Sequence, residues 1–146
     1  MSVGTIPAIE QSVWVAVAPE RAFRLWTEEL ASWWPLADHG VFGDDAQTVA
    51  FEEGRIVERS RGGEQSVWAE VLEWEPPARI VLAWHPGHGP DDPATEVEIR
   101  FTADGDGTLV ELEHREWDRL GARGAGSRES YANGWPGVLR RFAARV

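Results

Sequence analysis

Two alternating stretches joined by a glycine-rich turn constrain the fold of this chain more than any other feature. From Thr95 to Thr102, apolar and polar residues alternate at a period of two, as in a strand with one buried face. Residues 104–107 read Asp-Gly-Asp-Gly, which is typical of a tight turn between antiparallel strands. A second strand follows over 108–114. The sequence therefore predicts an antiparallel hairpin with one face on the core and the other in water.

Weaker signals of the same kind predict the other elements. Pro19 fits the first position of a helix, and Thr27 is suited to cap a second short helix that ends near Trp34. Segment 36–46 is rich in Gly and Asp, which favours a loop. The resulting order indicates an α+β fold, with a mostly antiparallel sheet and helices segregated from it. The other strands are predicted over 11–17, 49–51, 56–57, 65–73 and 79–85.

The chain ends in a predicted amphipathic helix. Apolar residues recur every three or four positions over 131–146, and arginines lie mostly on the opposite side. Ser127 is suited to cap the start of this helix, and residues 117–127, rich in Gly and Arg, predict a mobile connection before it. Because Pro136 removes one backbone hydrogen bond, we expect a kink there or a late start near Asn133.

The charge and the cysteine content exclude several classes of function. The chain has 25 acidic residues against 14 basic ones and a formal net charge of -11, so nucleic acid is not an expected partner. An anionic membrane surface is repelled for the same reason, and no apolar stretch is long enough for a signal-peptide core or a membrane span. Without cysteine, disulfides and thiolate nucleophiles are excluded. We expect a cytoplasmic protein with no stable membrane association.

Nine tryptophans are the unusual feature of the composition, since the chain has a single tyrosine. Indole rings are bulky and apolar, and a buried indole N–H needs an acceptor. Two interpretations remain open. The rings either fill the core of the fold, or some of them line a cavity that receives a ligand.

Several short sequence segments, taken in their order along the chain, carry a resemblance to a known family. They are Ala18-Pro19-Glu20-Arg21-Ala22-Phe23 before Trp33-Trp34-Pro35, Trp74 through Ile80 before Trp84, Thr108 through His114, and Gly134-Trp135 with Leu139. Their order resembles the START-like, helix-grip superfamily, and within it the branch similar to the activator of the heat-shock-90 chaperone's ATPase. The resemblance covers essentially the whole chain and implies a single domain over 1–146.

This resemblance also implies an architecture and a kind of ligand. The architecture is a curved, seven-stranded antiparallel sheet wrapped around a long C-terminal helix, with two short helices between the first and second strands. In relatives, the cavity between sheet and helix receives lipids, hormones, polyketides or other apolar molecules. Because one fold hosts many functions, the residues of the site must decide the function.

The titratable residues provide no catalytic constellation. His114 ends the last strand and alternates in step with Val110 and Leu112, so its side chain is expected to face the core. It is either a buried structural histidine or a polar anchor for a ligand. His85 and His88, followed by Asp91 and Asp92, are metal-ligating residue types, but the surrounding Pro and Gly favour a solvated loop. The pair Glu52-Glu53 is expected on a solvated strand face. No phosphate-binding glycine loop and no Gly-x-Ser-x-Gly motif occur.

These observations lead to one main hypothesis and two alternatives. We expect the protein to bind or carry a small hydrophobic ligand between the sheet and the last helix, without a cofactor or a metal. The alternatives are a protein-interaction module that uses its acidic surface, and a cyclase or hydrolase on the same scaffold. The residues predicted to line the cavity are Trp26, Leu30, Trp33, Phe51, Trp68, Trp84, Phe101, Tyr131, Trp135 and Leu139, with His114 as the polar anchor.

Overall fold

A computed structural model describes residues 5–89 and 91–146. The strands are β1 Ile9–Val15, β2 Ala46–Glu52, β3 Arg55–Ser60, β4 Gln65–Glu75, β5 Arg79–Trp84, β6 Thr95–Asp104 and β7 Gly107–Arg115. The helices are α1 Pro19–Glu28, α2 Leu36–His39 and α3 Gly124–Arg145, with 3₁₀ turns at Leu30–Ser32, Gly43–Asp45 and Trp117–Arg123. Of the helices in these residues, none has the length and hydropathy needed to cross a membrane.

The strands form one antiparallel sheet, in the order β1-β7-β6-β5-β4-β3-β2. Each strand from β2 to β7 therefore pairs with its neighbour in sequence, and β1 pairs with β7. The predicted hairpin is confirmed as β6 and β7, with Asp104 opposite Gly107 and Gly105 at a φ of 61°, a value that favours glycine. With the long helix α3 and the short helices between β1 and β2, the sheet confirms the predicted α+β helix-grip architecture.

The polar face of β6 is a network of ion pairs rather than a row of solvated charges. Glu98 is 7% exposed and accepts hydrogen bonds from Arg79 Nε and Arg115 Nη1, both at 2.6 Å. Burial would raise the pKa of Glu98, but the two guanidinium groups lower it to about 2. The alternation predicted the face of Glu98 correctly, whereas its burial depends on arginines from β5 and β7.

The segment between β1 and β2 differs from the prediction in two places. Thr27 does not cap a second helix, because it lies inside α1, where its hydroxyl donates to the Phe23 carbonyl oxygen at 2.8 Å. The predicted loop over 36–46 contains α2, a single turn in which the Gly40 N–H donates to the Leu36 carbonyl oxygen at 2.8 Å. Four residues are too few to show a helical period in the sequence.

Helix α3 begins earlier than the sequence predicts. It runs over Gly124–Arg145 and continues through Pro136, so a late start, one of the two alternatives expected at Pro136, is wrong. Ser127 lies within the first turn instead of capping it. The preceding residues, predicted to be a mobile connection, form 3₁₀ turns that are interrupted at Gly121. Trp117 anchors this segment, because it is buried and its indole N–H donates to the His114 carbonyl oxygen at 2.9 Å.

Aromatic rings fill one end of the space between α3 and the sheet. The ring centroid of Trp26 lies 4.8 Å from that of Trp33 and 5.1 Å from that of Phe142. Phe101, from β6, packs against Trp26 at 6.3 Å and against Phe23 at 5.3 Å. At this end of the fold the tryptophans therefore act as core residues.

Candidate ligand-binding cavity

A cavity of about 280 Å³ lies between α3, α2 and the end of β5. Helix α3 forms one wall with residues three or four positions apart, a spacing that puts them on one face. The opposite wall comes from the residues around α2 and from the end of β5. The complete lining is Trp34, His39, Trp84, Pro86, Ser130, Tyr131, Gly134, Trp135 and Val138.

Three indole rings dominate the walls of this cavity. The ring centroids of Trp34, Trp84 and Trp135 lie 5.7 to 6.2 Å apart, and all three side chains are buried. The Trp34 N–H donates to the His39 carbonyl oxygen at 3.4 Å, and the Trp84 N–H donates to the Tyr131 hydroxyl at 3.1 Å. Because these N–H groups bind protein acceptors, the rings are fixed in orientation and offer apolar surface to a ligand.

His114 lies behind the cavity wall and holds Trp135 in place. It is fully buried, and its Nδ1 accepts a hydrogen bond from the Trp135 indole N–H at 3.0 Å. The proton of the neutral ring is therefore on Nε2, which donates to Thr95 Oγ1 at 2.7 Å. Burial lowers the pKa of His114 to about 3, so the imidazole is neutral at physiological pH. The geometry makes His114 a positioning residue for an indole of the wall.

Tyr131 is one of the polar residues that line the cavity. Its hydroxyl oxygen accepts the Trp84 N–H, which leaves its own proton available for donation. Burial raises the pKa of the Tyr131 hydroxyl, so it keeps this proton at neutral pH. The more exposed Ser130 and His39 line the same cavity. A carbonyl oxygen on a flat apolar ligand matches this arrangement.

A buried carboxylate fixes the segment that follows α2 against the sheet. Glu58, on β3, is fully buried and accepts hydrogen bonds from the Val41 N–H at 2.7 Å and the Phe42 N–H at 3.1 Å. It also accepts the indole N–H of Trp68 at 2.8 Å. A side chain at Gly40 would meet Glu58 Oε2 at 2.8 Å, so glycine leaves room for this contact. The sequence did not single out Glu58, because a glutamate in a strand ordinarily faces solvent.

The residues predicted to line a cavity fall into three groups. Trp84, Tyr131 and Trp135 line the cavity described above. Phe51 lines a separate surface groove with Val71 and Trp74. The others lie buried in the core, and they are Trp26, Leu30, Trp33, Trp68, Phe101 and Leu139.

Six lining residues were not identified from the sequence. Gly134 and Val138 continue the spacing of Tyr131 and Trp135 along α3, so the helical period contains the signal that identifies them. Trp34 and His39 come from the segment around α2, and Pro86 comes from the loop after β5, and these segments have no period of their own. Ser130 lies on α3, four positions before Gly134. The six are Trp34, His39, Pro86, Ser130, Gly134 and Val138.

The residues considered as metal ligands have other partners. His85 Nε2 lies 2.8 Å from Glu70 Oε1, and His85 Nδ1 lies 3.0 Å from the His88 carbonyl oxygen. Asp92 accepts the Gly89 N–H at 2.7 Å. Across residues 5–89 and 91–146, no group of three or more His, Cys, Asp or Glu side chains is arranged to hold a metal ion.

A cavity between an antiparallel sheet and a long C-terminal helix defines a protein of the helix-grip class. The family model described as "Activator of Hsp90 ATPase homolog 1-like protein" matches residues 16–146. The chain therefore belongs to this family. A comparison with curated protein sequences gives no match.

Solved structures of similar proteins cover nearly the whole chain. An anthrahydroquino-gamma-pyrone synthase, Txn09, is 34% identical, with a TM-score of 0.68 and coverage of 97% of this chain and 98% of its own. The self-sacrificing resistance protein CalC from Micromonospora echinospora is 26% identical, with a TM-score of 0.70 and coverage of 95% and 93%. The Aha1 dimer from Colwellia psychrerythraea, 16% identical with a TM-score of 0.63 and coverage of 94% of each chain, shows the fold alone.

Proposed function

We propose that this protein binds a small, flat, aromatic ligand that carries a carbonyl oxygen, in the cavity between α3, α2 and β5. The observation that supports this most directly is the set of three fixed indole rings around one space. The Tyr131 hydroxyl adds a donor whose proton has no other use in the wall. Apolar walls with few polar groups are typical of sites for small molecules.

The size of the cavity limits the size of the ligand. Ligand pockets commonly measure roughly 300–1,000 Å³, and this one, at about 280 Å³, lies at the lower end. A fused system of a few rings fits this limit better than a lipid with long acyl chains. Each well-placed aromatic contact adds about 0.5–1.5 kcal/mol beyond the burial of apolar area.

The relatives support an aromatic ligand of the polyketide type. The name of the 34% identical protein describes a synthase for an anthrahydroquino-gamma-pyrone. The wall described above suits a ring system of this kind, because indole faces stack on aromatic rings and Tyr131 can donate to a quinone oxygen. An anthraquinone is therefore the probe of choice.

Ring closure on such a ligand is a second candidate function. It is favoured by one observation, that the His39 imidazole and the Tyr131 hydroxyl line the same cavity. A base and a donor on one ligand are the groups that general acid–base catalysis requires. Liquid chromatography with mass spectrometry of an open-chain aromatic polyketide after incubation distinguishes the two functions. A binding protein returns the compound unchanged, whereas a ring-closed product differs in retention time even where its mass is the same.

Obstructing the mouth of the cavity provides the direct test of binding. Ser130 is exposed and lines the cavity, so Ser130→Phe places a ring in the mouth without disturbing the core. We expect neutral anthraquinone-2-carboxamide to quench the tryptophan fluorescence of the wild-type protein in a saturable way. In Ser130→Phe the affinity should fall about tenfold or more, which corresponds to about 1.4 kcal/mol.

The matched control is Glu129→Phe, an equally bulky change at the adjacent exposed position of α3, outside the cavity lining. This variant should bind the probe as the wild type does. Equal affinities for the wild type and Ser130→Phe, or no saturable quenching by the probe, would contradict the proposed function.

A glycine in α3 keeps part of the cavity open at the expense of helix stability. In Gly134→Ala, the new methyl group lies 3.2 Å from His39 Cε1, inside the cavity. Alanine also favours the helical conformation by up to about 1 kcal/mol. We therefore expect a higher melting temperature. The affinity for the anthraquinone amide should be about threefold weaker, because one methyl group occupies less of the cavity than the phenylalanine ring of Ser130→Phe.

Gly137→Ala is the control for this exchange. Its methyl group would meet only the flexible end of Arg140, at 3.6 Å, and lies outside the cavity lining. It should raise the melting temperature and leave binding unchanged. An affinity that stays at the wild-type value in Gly134→Ala would show that the ligand does not approach this turn of α3.

A further inference from the structure

A second cavity, of about 220 Å³, adjoins the first. Trp84, Pro86 and Tyr131 line both, so these side chains stand between the two spaces. The second cavity differs in chemistry, because polar groups, among them Arg123 and Ser127, form most of its surface. A ligand whose rings occupy the first cavity therefore has a polar chamber within reach.

Arg123 provides positive charge in this chamber. Its Nη1 lies 3.0 Å from His88 Nε2, and because a guanidinium can only donate, the imidazole nitrogen accepts this hydrogen bond. Within residues 5–89 and 91–146, no carboxylate lies within 4.0 Å of the Arg123 guanidinium. This charge also acts on Tyr131, which lines both cavities. Burial raises the pKa of the Tyr131 hydroxyl, and the positive charge of Arg123 partly offsets that increase.

The other titratable groups near the chamber have partners within the protein. His85 is paired with the Glu70 carboxylate at 2.8 Å, and that carboxylate is not part of the lining. Asp92 accepts the Gly89 N–H at 2.7 Å, and its carboxylate lies 3.9 Å from His88 Nδ1. Among the residues that the structure describes, the Arg123 guanidinium thus has no carboxylate partner, and it lines a polar space in a chain whose net charge is -11.

We propose that the second cavity holds a carboxylate of the ligand, with the Arg123 guanidinium as its charge partner and the Ser127 hydroxyl as a neutral donor. This inference rests on the proposed function, since the aromatic part of the same ligand occupies the first cavity. Guanidinium groups bind carboxylates through charge-assisted hydrogen bonds in a planar geometry. The ligand class is accordingly an aromatic acid.

The experiment compares two probes that differ in charge. Anthraquinone-2-carboxylate and anthraquinone-2-carboxamide are titrated into the protein at low ionic strength, with tryptophan fluorescence as the readout. We expect the wild type to bind the acid about tenfold tighter than the amide, as one charge-assisted hydrogen bond allows. Added salt should reduce this preference, because the chamber is open to solvent and ions screen the charge.

Substitution of Arg123 tests whether the preference for the acid over the amide arises in the second cavity. Arg123→Gln should lower the affinity for the acid about tenfold and leave that for the amide unchanged. Arg119→Gln removes the same charge from the same 3₁₀ segment, but Arg119 is ion-paired with Glu96 at 3.0 Å and lies outside both cavities. This control should keep the preference for the acid.

The outcomes separate this inference from the proposed function. Equal affinity of the wild type for acid and amide, or an equal loss of preference in Arg123→Gln and Arg119→Gln, overturns the carboxylate site and leaves aromatic binding intact. Binding of neither probe overturns both. Circular dichroism of each variant shows whether it is folded, and the affinity for the amide serves as a second check on the first cavity.

Discussion

Replacing Glu58 with alanine is expected to lower the free energy of unfolding by about 3 kcal/mol or more. The change removes the acceptor for three N–H groups, those of Val41, Phe42 and the Trp68 indole. The Trp68 indole is buried and the two backbone N–H groups are partly buried, and a buried donor left without a partner costs about 1–3 kcal/mol. Because small domains are stable by only about 5–15 kcal/mol, urea denaturation should show a large shift of the midpoint.

A glutamine at position 58 provides a graded comparison. Oε1 of Glu58 accepts two of the three hydrogen bonds, from Val41 and Trp68, and Oε2 accepts the bond from Phe42. The amide of Glu58→Gln can keep the first two and lose the third, so its loss of stability should be smaller, about 1–3 kcal/mol. The control Glu64→Ala, at an exposed position, should change stability by no more than about 0.5 kcal/mol. Similar values for Glu58→Ala and Glu64→Ala would show that Glu58 does not fix the segment after α2.

The second large effect is a loss of stability in mild acid caused by His114. Its pKa in the folded protein is about 3, whereas a histidine in an unfolded chain has a pKa of about 6.5. Between these values the unfolded state binds more protons than the folded state, so the free energy of unfolding increases with pH. The stability conferred by the neutral ring is thus complete above about pH 6.5 and is lost as the pH falls toward 3. Between pH 8 and pH 5, His114 alone should account for about 2 kcal/mol.

Two variants test whether His114 is the group responsible. His114→Gln should be less stable than the wild type at pH 8, because the hydrogen bonds with Trp135 and Thr95 are altered. Its stability should change less between pH 8 and pH 5, since glutamine does not titrate. His88→Gln removes a histidine that is about half exposed and should keep the steep dependence of the wild type. A dependence that is unchanged in His114→Gln would assign the acid sensitivity to other groups.

Local patterns were sufficient to predict the sheet and much of the core. The alternation over 95–102 and the Asp-Gly turn at 104–107 predicted β6 and β7, because strand period and turn chemistry depend on neighbouring residues. The alternation of residues in β7 also predicted that the side chain of His114 faces the core. The start of α3 was not, since Gly124 and the 3₁₀ segment before it depend on the packing of Trp117.

The same limit applies to the candidate site. The stripe on α3 placed Tyr131 and Trp135 on the face that lines the cavity, because a helix repeats every 3.6 residues. Periodicity gave no means of separating a tryptophan that packs among the aromatic rings of the core, such as Trp33, from one that lines the candidate cavity, such as Trp34. Both are apolar, buried and adjacent in the chain.

Residue patterns over short ranges thus predicted a mostly antiparallel sheet, a long C-terminal helix and an apolar interior, and the family resemblance implied the curvature of the sheet. The tertiary structure decided where the interior stays open, which indoles border it, and that Glu58 and Arg123 have roles around it. A cavity is the space left after side chains from distant segments have packed. Its position depends on the sum of those contacts, so it cannot be predicted from any single stretch of the chain.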